Sequence, residues 1–452
     1  MMINIQDDIL QLAALGLLDR LLVDKATGGH ILWATDAYAH LGEGYAPGDE
    51  IRPARITGNN SDLIKTRARR AMEQRAERTR QHAEVATPRP IVQQMNDFAD
   101  KEWFDRPEGF HQKTDSGKID FPNKKTWKSY VDARRLEITC GEAPFLASRY
   151  DVETGEALPI EQRFGLLDRK LKAVSQNARD QDEYKSWALR AVQAIYGYEL
   201  QGDSLLIARV NILCTVQEHF RHRWQTKPDK NYLGKLCNVI CWNLWQMDGL
   251  EGSVPVPPAP KCQQLDLFPP KKINKILRQW KNLFGEVEPR SPQTNPQNTP
   301  DPESTAIPCV VYDWRAQRRH HYSTLREKGA SAMKFDFIIG NPPYQDETVG
   351  EQKTFAPPIY HHFMDAAYQL ADKVELIHPA RFLFNAGGTP KEWDQKMLTD
   401  PHFKVLFHEQ NSAAIFPGMD IRGGGYAAHS GMRPGHLGQL KYIRLFPNSI
   451  MS

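Results

Sequence analysis

Residues 335–344 read Phe-Asp-Phe-Ile-Ile-Gly-Asn-Pro-Pro-Tyr, an apolar run that ends in two prolines and an aromatic ring. The run predicts a buried β-strand that delivers Asn341 to its carboxyl end. Because proline lacks an amide hydrogen and has a fixed φ, Pro342 and Pro343 leave the Pro342 carbonyl as an inflexible acceptor beside the Asn341 side-chain carbonyl. These two oxygens could hold an exocyclic amino group by both hydrogens, while Tyr344 stacks on the attached planar ring. The alternative is a proline-rich turn without a chemical role, and the preceding strand favours the site.

The surrounding sequence is typical of an α/β protein. Short apolar runs end in polar or glycine-containing turns, and a helical pattern follows each of them. This alternation predicts a doubly wound, mostly parallel sheet, which binds ligands at the carboxyl ends of its strands. The predicted strands are Arg135–Thr139, Ala194–Tyr198, Cys309–Tyr312, Phe335–Ile339, Val374–His378 and Lys404–His408.

Charge and hydropathy exclude two classes of protein. The 452 residues include 58 Lys and Arg against 55 Asp and Glu, a formal charge of +3 that excludes a histone-like polycation but allows a locally basic groove. No run of about 18 apolar residues is present, so a membrane span is not expected. The N-terminal residues include acids rather than the basic region of a signal peptide, so no signal peptide is expected.

The cysteines indicate a reducing compartment. Six cysteines are too few and too scattered for a disulfide framework in a chain of this length. Cys237 and Cys241 lie one turn apart on a predicted helix. Because no second cysteine or histidine pair has zinc spacing, we interpret them as buried thiols and expect no metal site. The sequence therefore predicts a cytoplasmic protein.

Residues 1–83 predict a helical region ahead of the α/β unit. Residues 1–25 carry leucines and alanines at helical spacing, and residues 60–83 predict a long polar helix. Two interpretations of the second helix stay open, a solvated face and a surface that contacts phosphates. Its basic residues are Lys65, Arg67, Arg69, Arg70, Arg75, Arg78 and Arg80.

Two interruptions fall inside the α/β unit, which is predicted to span residues 84–425. Residues 251–272 are rich in proline, and residues 286–305 hold too few apolar side chains to offset their ordering entropy, which predicts a disordered insertion. A short basic-aromatic helix is expected between them, at Lys271–Phe284. Residues 426–452 lack the alternation of a strand, so we expect an atypical tail and an incomplete last β-hairpin.

The apolar strand with Asn-Pro-Pro-Tyr resembles motif IV of S-adenosylmethionine-dependent N6-adenine methyltransferases. Further segments resemble other motifs of the γ class of DNA methyltransferases, in the order expected of that class. More narrowly, the chain is similar over about residues 1–425 to the methylase subunits and fusions of type II restriction–modification systems. The matching segments are Glu84-Val-Ala-Thr-Pro-Arg-Pro-Ile-Val92 for motif X, Leu136-Glu-Ile-Thr-Cys-Gly-Glu-Ala-Pro-Phe-Leu146 for motif I, Ile195-Tyr-Gly-Tyr-Glu199 for motif II and Val310-Val-Tyr-Asp313 for motif III.

This resemblance implies a Rossmann-like class I methyltransferase fold with S-adenosylmethionine as the cofactor. After the motif I strand, Gly141 allows the backbone to approach the methionine part closely, and Glu137 at the strand end could reach its amino group. Ala143 stands where the family usually has a second glycine. The cofactor residues that the resemblance implies are Thr87, Pro88, Glu137, Thr139, Cys140, Gly141, Glu199, Asp313 and Trp314.

Three of these residues have specific roles in the resemblance. Glu199 would accept both ribose hydroxyls, although a surface acid that caps the helix beginning near Asp203 is the alternative. Asp313 would accept from the adenine amino group of the cofactor, and Trp314 would pack on its ring. Thr87 and Pro88 would start a helix that covers the cofactor.

The resemblance also implies the reaction, site-specific methylation of adenine in double-stranded DNA. The enzyme would extrude the target base into its pocket. Asn341 and the Pro342 carbonyl would accept both N6 hydrogens, Pro343 would help to fix the loop, and Tyr344 would stack on the flipped base. The chain would serve as the modification component of a restriction–modification system. Because no nuclease segment is predicted, a separate restriction or specificity subunit is an expected partner.

Two alternatives stay open. The family usually continues past residues 420–424 with further strands and a recognition domain, whereas the composition here changes after Gly425, which predicts a truncation or frameshift. A truncated remnant that binds S-adenosylmethionine or DNA without turnover is one alternative. The other is a methyltransferase with the same tetrad that acts on protein glutamine or on RNA, since a planar amide poses the same geometric problem.

Overall fold

The computed structural model describes residues 2–82, 85–122, 124–255, 306–327, 333–345, 357–384, 388–409, 416 and 426–431. The predicted helix Lys271–Phe284, the insertion 286–305 and the tail beyond residue 431 lie outside these ranges. Within them, no helix combines the length and the apolar character that crossing a membrane requires.

The strands of the described residues are numbered here in chain order. They are β1 Arg135–Ile138, β2 Ile195–Glu199, β3 Leu244–Gln246, β4 Val310–Asp313, β5 Arg318–His321, β6 Phe337–Gly340, β7 Val374–Pro379, β8 Lys404–Glu409 and β9 Tyr426–Gly431.

One sheet of seven described strands has the order β3-β2-β1-β6-β7-β9-β8. The neighbours from β3 to β7 are parallel, and β9 runs antiparallel to both β7 and β8. The predicted α/β architecture with a mostly parallel sheet is confirmed. Every residue of β1, β2, β6 and β7 is buried, including the ionisable side chains of Glu137 in β1 and Glu375 in β7.

The strand predicted at Cys309–Tyr312 exists as β4, but it does not join the main sheet. It pairs antiparallel with β5 in a separate two-stranded sheet. The turn between them includes Gln317 in a left-handed conformation, with φ of 52°. The local hairpin satisfies the β4 backbone, so the prediction of a sixth strand in one parallel sheet was wrong at this position.

Two strands occur where the sequence did not predict them. β3 follows its helix directly at Leu244 and pairs parallel with β2. β9 lies between β7 and β8, so the expectation that no strand follows residue 425 was wrong. β9 pairs with β7 from Val374 to Pro379, and its antiparallel pairing with β8 forms the hairpin that was expected to be incomplete.

The helices surround the sheet and have ordinary end signals. Asp180 and Asp229 accept from backbone N–H groups two or three residues inside their helices, and Thr126 forms a reciprocal cap with Ser129. The helices of the described residues are α1 Ile5–Ala14, α2 Leu18–Leu22, α3 Pro53–Ile56, α4 Met72–His82, α5 Arg89–Phe104, α6 Trp127–Asp132, α7 Leu166–Asn177, α8 Gln181–Gln193, α9 Gly202–Trp224, α10 Lys230–Asn243, α11 Tyr322–Leu325, α12 Tyr360–Leu370 and α13 Lys391–Thr399.

The N-terminal region packs on the sheet helices through a shared core. Ile5, Ile9 and Leu12 of α1 belong to the same buried cluster as Leu205 and Leu213 of α9. The long helix predicted at 60–83 is shorter than expected. The α-helix begins only at Met72, and residues 58–60 and 67–69 form single 3₁₀ turns.

The two cysteines of α10 are placed as the sequence predicted. Cys237 and Cys241 both lie on the helix and are fully buried. The Cys241 thiol donates to the carbonyl of Arg20 at 3.1 Å. Burial raises the pKa of the Cys237 thiol to about 12, so both groups act as packing residues.

Candidate functional site

The sheet has a switch point between β1 and β6. The chain leaves β1 toward β2 and β3 on one side, and β6 and β7 lie on the other. Ile138 stands opposite Gly340 in the register, so the segments that follow these two strands begin side by side. Ligands of open α/β sheets bind at this position. A cavity opens there, and residues of both segments, Thr139, Gly141 and Asn341 among them, line it.

The loop after β1 forms one wall of this cavity and has an unusual backbone. Thr139, Gly141 and Ala143 have φ of 45°, 52° and 62° respectively, all in the left-handed region. A Cβ built on Gly141 would meet no atom within 4 Å, so the glycine leaves open space beside the pocket. Ala143 takes the left-handed conformation at the position where the family usually has glycine, at a cost of about 1–2 kcal/mol.

Two predicted residues of motif I lie in the pocket wall in buried positions. Glu137 is 2% exposed, and its two oxygens accept from the amides of Phe145 at 3.5 Å and Leu146 at 3.0 Å. Burial raises the pKa of Glu137 well above its usual range, against the smaller opposing effect of those amides. Burial likewise raises the pKa of the Cys140 thiol, so Cys140 contributes shape to the wall.

Glu199 connects the β2 end to the β1 loop. Its Oε2 accepts from the Gly141 amide at 2.8 Å, and its Oε1 accepts from Leu200 and Gln201 amides at 3.0 and 3.1 Å. The side chain is largely buried, and α9 begins three residues later, at Gly202. The structure therefore brings Glu199 and Gly141 together, as a shared cofactor site requires.

The predicted tetrad follows β6 and faces the same cavity through Asn341. Its Nδ2 donates to Thr87 Oγ1 at 3.2 Å, and its Oδ1 accepts from the Tyr344 hydroxyl at 2.6 Å. Thr139 Oγ1 lies 3.3 Å from the Asn341 backbone carbonyl. Pro342 is buried, and Tyr344 is 8% exposed within the main core cluster. In this arrangement the Tyr344 ring packs in the core, so stacking on a base requires the ring to move.

Segment 85–88 crosses the pocket from the N-terminal side. Val85, Ala86 and Thr87 line the cavity, and Thr87 is 2% exposed. Pro88 is the N-cap of α5, and its carbonyl accepts the first helical amides, from Ile91 and Val92. The proline at this position suits a helix start because its fixed φ matches one.

Asp313 and Trp314 are not brought to the cavity. Asp313 accepts from Arg134 Nη2 at 2.5 Å, and Arg134 precedes β1, at the opposite end of that strand from Gly141. The Trp314 indole donates to Asn243 Oδ1 at 2.7 Å. Among the described strands β4 pairs with β5 alone, so its end does not lie beside the ends of the parallel strands.

Sequence reasoning missed the acid that follows β3. Asp248 lies two residues beyond Gln246, which is opposite Glu199 in the register. Its Oδ1 accepts from the amides of Leu250 and Glu251 at 2.9 and 3.1 Å. The detectable signal was an apolar run, Leu-Trp-Gln-Met, that ends in Asp-Gly.

The basic residues of the N-terminal region are largely engaged within the protein. Arg70 and Arg78 are buried, and each places a guanidinium nitrogen 3.0 Å from the Asp203 carboxylate. The Arg67 amide donates to Glu142 Oε1 at 2.5 Å, which joins this segment to the β1 loop. Neither open interpretation, a solvated face or a phosphate-contacting surface, describes these two arginines.

Comparison with known proteins supports a function class. Residues 193–416, which include β2, β3, β6, β7 and the tetrad, match the family model described as Eco57I restriction-modification methylase. A stretch of 116 residues is 29% identical to an "Uncharacterized adenine-specific methylase" of Mycoplasma pneumoniae (strain ATCC 29342 / M129 / Subtype 1), covering 25% of this chain and 28% of that relative. The matched stretch thus spans less than a third of the relative's length.

Two solved structures show weak likeness. One is the cryoEM structure of a DrdV–DNA complex, with a TM-score of 0.38, 13% identity and coverage of 84% of this chain and 30% of that chain. The other is a nuclease-deletion mutant of the Type ISP restriction-modification enzyme LlaGI in complex with a DNA substrate mimic, with a TM-score of 0.35, 11% identity and coverage of 78% and 23%. At these TM-scores neither supports an inference about this chain. The family match and the curated relative support a methylase of the restriction–modification type.

Proposed function

We propose that this chain transfers a methyl group from S-adenosylmethionine to N6 of an adenine flipped out of double-stranded DNA, as the modification component of a restriction–modification system. The observation that carries the proposal is the position of Asn341. It follows β6 at the switch point and shares one cavity with Glu137, Gly141 and Thr87. A polar amide, a glycine loop and a buried acid thus converge on a single pocket.

The residues present fit S-adenosylmethionine. The cavity is lined by the β1 loop, segment 85–87 and Asn341, and the missing Cβ of Gly141 leaves space along its wall. Glu137 and Glu199 both accept from amides of the segment after β1, where a cationic amino group and ribose hydroxyls would find acceptors. When bound, this cofactor supplies the methyl group on a sulfonium. The strand order, with β9 antiparallel between β7 and β8, supports a Rossmann-like class I methyltransferase fold.

The protein's own residues would act on the adenine amino group by hydrogen bonding. Asn341 Oδ1 has two lone pairs, one of which accepts from Tyr344, so the other is free to accept from an amino group. The Pro342 carbonyl would accept the second hydrogen, and its ring removes a competing donor. Holding both hydrogens directs the nitrogen lone pair at the methyl donor, so positioning supplies much of the catalysis.

DNA is the proposed partner, and flipping would bring the base to the cavity. A separate subunit would supply restriction or sequence specificity. The same tetrad would also suit a protein glutamine or an RNA base, and the curated relative, described as an adenine-specific methylase, favours adenine.

The test is transfer of labelled methyl from S-adenosylmethionine to unmethylated duplex DNA, with the product base identified by chromatography. Wild type should form N6-methyladenine, and Asn341→Ala should lower the rate by about 10²-fold or more. Asn238→Ala is a matched control, because Asn238 is exposed on α10 and outside the cavity. Transfer to protein or RNA instead of DNA, or retained activity in Asn341→Ala, would overturn the proposal. Cofactor binding without transfer to any acceptor would favour a catalytically dead remnant.

A further inference from the structure

Thr87 makes a contact that a cofactor-binding role does not explain. Its Oγ1 accepts from Asn341 Nδ2 at 3.2 Å, across 254 positions of the chain. Thr87 is 2% exposed, so its hydroxyl is shielded from water. The contact joins the segment that enters α5 to the segment that leaves β6.

The orientation of a side-chain amide depends on its hydrogen bonds, because its oxygen and nitrogen ends have nearly the same shape. The proposed reaction needs the oxygen end of Asn341 to face the adenine amino group. An amide rotated by half a turn would present two N–H donors to an amino group that is itself a donor. The catalytic geometry therefore needs a partner that holds the nitrogen end away from the substrate.

We infer that Thr87 is that partner, a positioning residue that orients the Asn341 amide for methyl transfer; the inference rests on the proposed function. The Tyr344 hydroxyl donates to Oδ1 at 2.6 Å, on the other side of the amide. Thr87 and Tyr344 thus hold the two ends of Asn341 between them. Asn341 is half-buried, and without the Thr87 oxygen its Nδ2 would lose this acceptor.

Thr87 also lines the cofactor cavity together with Glu137 and Gly141. Because Thr87 contacts both the cavity and the Asn341 side chain, it links the position of segment 85–88 to the orientation of the Asn341 amide. Since α5 begins at Arg89, directly after Pro88, that segment is anchored by a helix start. The orientation of the amide would therefore depend on this cofactor-side segment as well as on β6.

The first test separates positioning from cofactor binding. Thr87→Val keeps the shape of the side chain but removes the acceptor, and we expect kcat for methyl transfer to fall about tenfold while the KM for S-adenosylmethionine changes less than twofold. Thr87→Ser restores the oxygen and should restore kcat. Thr215→Val is the matched control. Thr215 is fully buried in α9, and its hydroxyl has no hydrogen-bond partner among the described residues.

The second test reads the hydrogen bond directly. In protein labelled with ¹⁵N at asparagine, the Asn341 side-chain amide signal is assigned by its loss in Asn341→Ala. Thr87→Val should shift that signal and speed its hydrogen exchange, and Thr87→Ser should not. An unchanged signal in Thr87→Val, or a KM increase with unchanged kcat, overturns the inference. If the signal shifts but wild type methylates no adenine, the proposed function fails and the positioning contact stands.

Discussion

Asp203, at the start of α9, is paired with two arginines from the N-terminal region, and replacing it with asparagine tests what joins these parts of the protein. Its Oδ1 lies 3.0 Å from Arg78 and its Oδ2 lies 3.0 Å from Arg70, while the Tyr38 hydroxyl donates to Oδ2 at 2.8 Å. The side chain of Asp203 is 2% exposed, that of Arg78 is 7% exposed and that of Arg70 is 4% exposed. Two positive charges and one negative charge are therefore buried together.

Removing one member of a buried ion pair costs about 3–5 kcal/mol, because the remaining charge stays in a medium of low dielectric constant. Asparagine keeps the size of Asp203 and one acceptor oxygen, so we expect Asp203→Asn to lower the free energy of unfolding by about 3 kcal/mol. Burial raises the pKa of Asp203, but Arg78 and Arg70 outweigh it and hold that pKa well below its usual range. The stabilisation is thus fully present at neutral pH and is lost only as the pH falls below the ordinary range of aspartate.

Urea unfolding at pH 7, followed by tryptophan fluorescence, measures this difference. Glu183→Gln is the control, since it removes the ion pair with Arg179 at 2.8 Å, in which Arg179 is 82% exposed. We expect that control to leave the unfolding midpoint unchanged. If Asp203→Asn lowers the free energy of unfolding by less than about 1 kcal/mol, a value typical of surface pairs, the reasoning about burial is refuted.

Two further predictions concern acidic residues, one the stability contribution of Glu375 and the other the contrast between Asp248 and Asp313. Glu375 in β7 is buried with an Oε2 that has no hydrogen-bond partner among the described residues, and burial raises its pKa well above the usual range. Its contribution to stability is therefore present at low pH and lost as the pH rises toward that raised pKa, so Glu375→Gln should flatten the dependence of Tm on pH above about pH 5. Parallel Tm curves for variant and wild type would contradict this. Asp248→Asn should weaken S-adenosylmethionine binding, measured by calorimetry, by about tenfold, since hydrogen bonds to a charged acceptor contribute about 1.5–3 kcal/mol. Asp313→Asn should leave that affinity unchanged and lower Tm. The reverse pattern would refute the assignment of Asp248 to the cofactor site.

The sequence predicted the central strands because of how they are buried. Strands β1, β2, β6 and β7 are covered on both faces, so apolar residues recur along each of them between polar turns, although β1 and β7 also carry buried ionisable side chains. The residue after each run then lies at one edge of the sheet. For this reason the predicted strands, together with the family resemblance, placed Gly141, Glu199 and Asn341 at one edge of the sheet, although they lie far apart along the chain.

Other elements were not predictable because their partners are not encoded locally. β3 has three residues and begins immediately after α10, without a turn signal. β9 has few large apolar residues, and its backbone pairing with β7 and β8 gives it its strand conformation. The periodicity of apolar residues indicates which strands are buried, whereas the conformation of β3 and β9 depends on the strands with which they pair.

The burial of Arg70 and Arg78 likewise could not be predicted from the local sequence. A basic segment such as 65–80 reads as surface, because arginine is almost never fully buried without a partner. Here the partner Asp203 lies 133 positions after Arg70 and 125 after Arg78. A pairing at that separation leaves no periodic pattern, so only the structure could show that these two arginines face inward.

Asp313 was expected at the cofactor site because its motif comes at the right place along the chain, but motif order does not say where its strand lies in the sheet. An acid can reach a ligand at the switch point only if its strand lies in the parallel set beside β1, because those carboxyl ends share one edge. β4 satisfies the order along the chain, but in the part of the chain that the structure describes it pairs with β5 alone, and Asp313 binds Arg134 ahead of β1. β3 satisfies the position, since Gln246 stands opposite Glu199 and Asp248 follows two residues later. By topology we therefore expect Asp248, rather than Asp313, to take the place that the resemblance gave to Asp313.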